Sequence, residues 1–76
     1  IHLDGKIYAI GGHNGLTIFQ NVEIYDIATN RWCNGVPMLT KRCRLGVAVL
    51  RGKIYAAGGY DGSRFLNSVE CFDPQT

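Results

Sequence analysis

The sequence predicts an all-β chain in which one four-stranded antiparallel unit repeats at a fixed period. Three observations predict it. Lys6-Ile7-Tyr8-Ala9-Ile10-Gly11-Gly12 recurs as Lys53-Ile54-Tyr55-Ala56-Ala57-Gly58-Gly59, an offset of 47 residues. Laying residues 1–29 on 48–76 gives 13 identities in 29 positions without a gap, where chance overlap gives roughly 2. Finally, no stretch of ten residues carries helical periodicity, whereas short apolar runs stand between turn signals.

The chain of 76 residues holds about one and a half such periods. A repeat unit cannot bury its apolar face alone, so the chain is expected to be a piece of a longer protein. Residues 1–47 form one repeat that runs into the first strand of the next, and residues 48–76 a partial second repeat.

Ile1 to Leu3 read as the end of a strand, a. Asp4-Gly5 is a two-residue hairpin signal, since both residue types accept positive φ. Strand b follows, Lys6 to Gly11, and His13 to Gln20 is a polar, glycine-containing loop. Asn21 to Asp26 alternates, with Val22 and Ile24 on one face and Glu23 and Tyr25 on the other, and reads as strand c. Ala28-Thr29-Asn30 is turn chemistry. Arg31 to Val36, with the only tryptophan, Trp32, reads as strand d. Pro37 cannot sit inside a central strand, so Pro37 to Cys43 is a connection. Arg44 to Leu50 is apolar on both faces after its arginine, which suits a strand a buried on two sides. Arg51-Gly52, Lys53 to Gly58, Tyr60 to Asn67 and Ser68 to Asp73 repeat turn, strand b, loop and strand c.

Four antiparallel strands per repeat, one doubly buried, is the plan of a β-propeller blade. Strand alternation also assigns sides. The b–c loops and the d–a link fall on one rim, and the a–b and c–d turns on the other. His13 to Gln20, Lys41 to Arg44 and Tyr60 to Asn67 therefore share the rim with the longer and more variable loops, where binding residues usually sit.

A net charge of +2 does not by itself imply nucleic acid or an anionic membrane. No run of about 18 apolar residues is present that would cross a bilayer, and no signal peptide is visible. The three cysteines, Cys33, Cys43 and Cys71, do not recur in register and form no CxxC. Reduced thiols in a cytoplasmic or nuclear protein are expected. No metal-ligand spacing, catalytic triad pattern or P-loop lysine accompanies the glycines. No cofactor, no metal and no catalytic residue is expected.

The order Gly-Gly after an apolar strand, Val-Glu-x-aromatic-Asp, Trp32 six residues past Asp26, and Pro37-Met38 before an arginine-containing link resembles the kelch repeat. Tyr60-Asp61-Gly62 and Arg42-Cys43-Arg44-Leu45-Gly46-Val47 further resemble the kelch-like subfamily of BTB adaptors. The second repeat departs from the pattern by stopping before its tryptophan. The resemblance implies a kelch-type β-propeller fragment, part of a six-bladed ring. It implies a substrate-recognition propeller of a cullin-RING ubiquitin ligase adaptor, whose cullin contact lies in a BTB region outside this chain. The rival expectations are an actin-binding or cytoskeletal kelch scaffold and, further off, a kelch-type oxidase or sugar-modifying enzyme.

The candidate partner-binding residues are His13, Asn14, Arg42, Arg44, Tyr60, Asp61 and Ser63. Tyr60 and His13 follow the double glycines, so no neighbouring side chain screens them. The resemblance implies that this position touches a substrate peptide. Arg42 and Arg44, two residues apart, would point the same way along an extended link. By resemblance they face acidic or phosphorylated groups of a degron, and the plainer alternative is pairing with Glu23 or Glu70. Cys43 between two arginines is read as an ordinary loop thiol, with a redox sensor as the weaker alternative. Glu23 and Glu70 recur in register and are expected to join neighbouring blades, as are Tyr8, Tyr25, Trp32, Tyr55 and Phe72.

Overall fold

The computed structural model describes residues 1–74. The last two residues of the predicted second repeat, Gln75 and Thr76, lie outside the described residues.

The strands are β1 (His2–Leu3), β2 (Lys6–Ile10), β3 (Val22–Asp26), β4 (Arg31–Asn34), β5 (Gly46–Leu50), β6 (Lys53–Ala57) and β7 (Val69–Phe72). Among the described residues they form two antiparallel sheets in sequence order, β1-β2-β3-β4 and β5-β6-β7. The a-b-c-d plan is therefore observed. The strands run one or two residues shorter than their apolar patterns: β2 and β6 stop at their double glycines, β4 stops before Gly35, and β5 begins only after the turn at Arg44.

The turn chemistry is local and was legible. Asp4 and Gly5 have φ of 52° and 75°, and Arg51 and Gly52 have 52° and 76°. Two successive positive φ values give the hairpin the twist its strands need. At the β3–β4 turn Asn30 takes φ 55°, and the Tyr25 hydroxyl and Asn30 Oδ1 close the corner.

Register decides which residues face the neighbouring sheet. Tyr8 lies opposite Ile24 and Ile10 opposite Val22, on one face of the first sheet. Ile54 lies opposite Phe72 and Ala56 opposite Glu70, on one face of the second. These two faces meet. Tyr8, Val22, Ile54 and Ala56 are buried, with Met38 of the link inserted among them. The Tyr8 and Phe72 rings meet edge to face at 6.0 Å.

The other aromatics divide differently from the expectation. Tyr25 and Trp32 pack on each other, centroids 5.1 Å apart, on the outward face of the first sheet, and Trp32 is exposed. Tyr55 sits on the outward face of the second sheet, opposite Cys71. Strand β5 is not doubly buried either. Val47 and Val49 pack on the core, while Gly46, Ala48 and Leu50 are exposed. One face of β5 points into the junction, and among the described residues no second sheet covers the other.

Candidate functional site

The site is built around the d–a link, residues 35–45, which runs between the two double glycines. The Gly12 amide donates to the Arg42 carbonyl at 2.8 Å. The Cys43 and Tyr60 main chains exchange hydrogen bonds, each 3.0 Å. The link touches the first sheet again where Met38 and Gln20 exchange bonds and where the Arg42 amide donates to the Phe19 carbonyl. The glycines are required by this close passage. A Cβ on Gly11 would overlap the Arg42 carbonyl oxygen, and one on Gly59 would lie 2.6 Å from the Cys43 carbonyl oxygen. Gly11, Gly12, Gly58 and Gly59 all have positive φ. Close approach and a left-handed turn thus occur together at the paired glycines.

The expectation that Arg42 and Arg44 point the same way is corrected. Arg42 is fully buried. Its Nε donates to Glu70 Oε2 at 3.2 Å, its Nη1 to the carbonyls of Gly58 and Ser68 at 2.9 Å each, and its Nη2 to Ser68 Oγ at 2.8 Å. Glu70 in turn accepts from the Leu39 and Thr40 amides, at 2.7 and 3.1 Å. All three link residues are thus held on the second sheet. A planar guanidinium with several fixed acceptors is the arrangement arginine suits. Arg42 is a blade-joining clamp and presents nothing to a partner. Glu70 pairs with Arg42, the plainer alternative expected for that arginine, whereas Glu23 is exposed.

Arg44 diverges because its backbone turns over, with φ 53°. It is exposed and lines a rim groove of about 610 Å³ together with His13, Leu16, Ile18, Tyr60 and Phe65. Cys43 is buried between the two loops, its thiol donating to the Tyr60 carbonyl at 3.5 Å.

The two loops are the same miniature hairpin made twice. His13 bridges Ile18, and Tyr60 bridges Phe65. Asn14 Oδ1 accepts from the Leu16 and Thr17 amides, at 2.9 and 2.8 Å. Asp61 Oδ1 accepts from the Ser63 and Arg64 amides, at 2.8 and 2.9 Å. These amides hold the Asp61 carboxyl below its ordinary pKa, with Arg64 a smaller influence. Asn14 and Asp61, named as partner contacts, therefore have a side-chain oxygen committed to shaping their own loops. His13 Nδ1 accepts from the Gly15 amide at 3.2 Å. Tyr60 stacks on Phe65 at 5.2 Å and donates its hydroxyl to the Gly62 carbonyl at 3.1 Å. Ser63 lines the groove.

Sequence reasoning missed two strongly exposed apolar side chains of the rim loops, Leu16 (96%) and Phe65 (86%). With Ile18 they floor and wall the groove, and Arg64 stands at its edge. The available signal was an apolar residue inside a turn-rich loop with no alternating partner to bury it.

A rim of side-chain-rich loops carried on packed antiparallel repeats defines a class: a repeat-built binding scaffold. The chain matches the Kelch motif over residues 1–39 and 41–76, and it belongs to the kelch-repeat family. It is 49% identical to human Kelch-like protein 6 over 37 residues, 49% of this chain and 6% of that protein. It is 47% identical to rat Kelch-like protein 7 over 38 residues, 50% of this chain and 6% of that protein. The Influenza virus NS1A-binding protein homolog of Xenopus laevis is 44% identical over 48 residues, 63% of this chain and 8% of that protein. The matched segments thus span less than a tenth of each of these relatives. The repeats and the relatives make the chain a protein–protein interaction module.

Proposed function

We propose that these repeats belong to the substrate-recognition propeller of a cullin-RING ubiquitin ligase adaptor acting in the cytoplasm. In this reading the rim groove selects a client protein, and a BTB region elsewhere in the polypeptide engages the cullin. The observation that carries the binding role is the groove itself. Leu16 and Phe65 stand fully out from a rigid scaffold, beside the Tyr60 ring and the Arg44 guanidinium. Exposed apolar residues gathered with an aromatic and an arginine are the composition of a protein contact. The adaptor role rests on likeness to kelch-like proteins.

Affinity capture with a polypeptide carrying these repeats in their full setting tests the assignment. Recovery of a cullin together with a client whose lifetime depends on the ligase is expected. Co-sedimentation with F-actin and no cullin would replace the adaptor by a cytoskeletal scaffold.

A further inference from the structure

The two walls of the rim groove share a backbone and differ in chemistry. Asn14 and Asp61 close their loops with the same pair of amide bonds, so residues 47 apart stand in equivalent places. Only the side chains change. Leu16, Thr17 and Ile18 make one wall aliphatic and uncharged. Their counterparts Ser63, Arg64 and Phe65 belong to the other wall, which Tyr60 and Arg44 complete. The loops come close enough that a Cβ on Gly62 would lie 3.5 Å from Ile18 Cδ1. The groove therefore lies inside the chain, between residues 13 and 65, rather than at either end.

Unpaired charge in the groove is sparse. Arg42 is turned inward and occupied by Glu70, Gly58 and Ser68. Arg64 stands 4.0 Å from the Asp61 carboxylate, an exposed pair of little strength that still sets a negative charge beside it. The amides that hold the Asp61 carboxyl below its ordinary pKa keep that charge in place at neutral pH. Among the described residues the Arg44 guanidinium makes no hydrogen bond or ion pair. A phosphate carries nearly two charges. It would meet one unpaired arginine and a carboxylate at the edge, as would a run of acidic residues. The Leu16 side chain, by contrast, is 96% exposed and faces an aromatic wall.

We infer, on the binding role proposed above, that the groove selects a client segment by one bulky apolar side chain seated between Leu16 and Tyr60, with a single neighbouring carboxylate reaching Arg44. Apolar burial provides the affinity and one charge pair sets the direction of the segment. This differs from the acidic or phosphorylated degron expected of two rim arginines, because only one of them is at the rim.

Selection of a random-peptide library displayed on phage, against the intact polypeptide that carries these repeats, tests the specificity. The binders should share one bulky apolar residue close to one Asp or Glu. A selected peptide, titrated by fluorescence anisotropy, should bind Leu16→Ser and Arg44→Gln each about tenfold more weakly. Melting should not change, since both side chains are exposed. Converting the peptide's carboxylate to its amide should weaken binding to the wild type by a similar factor and to Arg44→Gln hardly at all. Binders that are acidic runs, a phosphoserine version of the peptide that binds more tightly, or a library with no binder sensitive to Leu16→Ser would overturn the inference. Cullin recovery is read separately. A cullin captured alongside acidic binders sinks only this specificity, and apolar binders without a cullin sink only the adaptor reading.

Discussion

Arg42 and Glu70 are 28 residues apart in sequence and 3.2 Å apart where the link meets the second sheet. The arginine side chain is 1% exposed and the glutamate 17%. The pair fixes the link that separates the two halves of the rim, so the binding groove depends on a contact that no ligand touches. Removing one partner leaves buried acceptors unpaired. Arg42→Ala is expected to destabilise the fold by about 2–4 kcal/mol, less than a fully buried pair because Glu70 retains some water. Arg42→Lys should recover only part of that loss, since an ammonium cannot reach Glu70, Gly58 and Ser68 in one plane. Urea denaturation measures both.

Gly59 and Gly12 hold equivalent places in the repeat but differ in their surroundings. A Cβ on Gly12 meets nothing within 4 Å, while one on Gly59 meets the Cys43 carbonyl and Leu45. Gly12→Ala should cost about 1–2 kcal/mol from its positive φ alone. Gly59→Ala should cost more, because backbone must also move. Thermal melts of the two variants provide the comparison, and equal losses would contradict the role given to the link.

Arg44 is a non-glycine residue at φ 53° outside any hairpin turn, which is strain at a position lining the groove. Arg44→Gly is expected to leave stability unchanged or raise it by up to about 1 kcal/mol. Under the proposed function the same variant should weaken client binding about tenfold, as should Tyr60→Ala or Phe65→Ala. Titration calorimetry and melting, run together, separate the two effects.

The Asp61 carboxyl is held below its ordinary value of 3.8 by the Ser63 and Arg64 amides. A depressed folded-state pKa gives stabilisation that is complete above the unfolded value and is lost as pH falls through the folded one. Loop 60–65 should therefore keep its shape across neutral pH and loosen only in acid, below about 4. Following the Phe65 ring by NMR against pH would show this transition, and Asp61→Asn should shift or remove it.

Cys33 and Cys71 are exposed and Cys43 is buried. Under native conditions two thiols should react quickly with a colorimetric disulfide reagent and the third only as the protein opens. Cys43→Ser should abolish the slow phase.

Much of the blade was legible because its signals are local. Asp4-Gly5 and Arg51-Gly52 name their turns by residue type, and Val22 to Asp26 shows its faces by alternation. The Gly-Gly period gave the rim its membership. The groove was less legible. Tyr60, His13 and Arg44 are expected at the rim and do line it, whereas Arg42, expected beside them, turns inward. Asn14 and Asp61, expected as partner contacts, each also commit a side-chain oxygen to shaping their own loop. Leu16 and Phe65 passed unremarked, because exposure depends on what fails to cover a residue, and the sequence does not show that.

By itself, the sequence determined the repeat, the strand order and the side of the molecule on which each loop falls. Periodicity, turn chemistry and strand reversal are properties of neighbouring residues. Only the tertiary structure decided between Arg42 and Arg44. One backbone reversal at Arg44 separates a buried clamp from an exposed guanidinium. What selects it is the passage of the link between two glycine turns 47 residues apart, a contact made only once both sheets have formed.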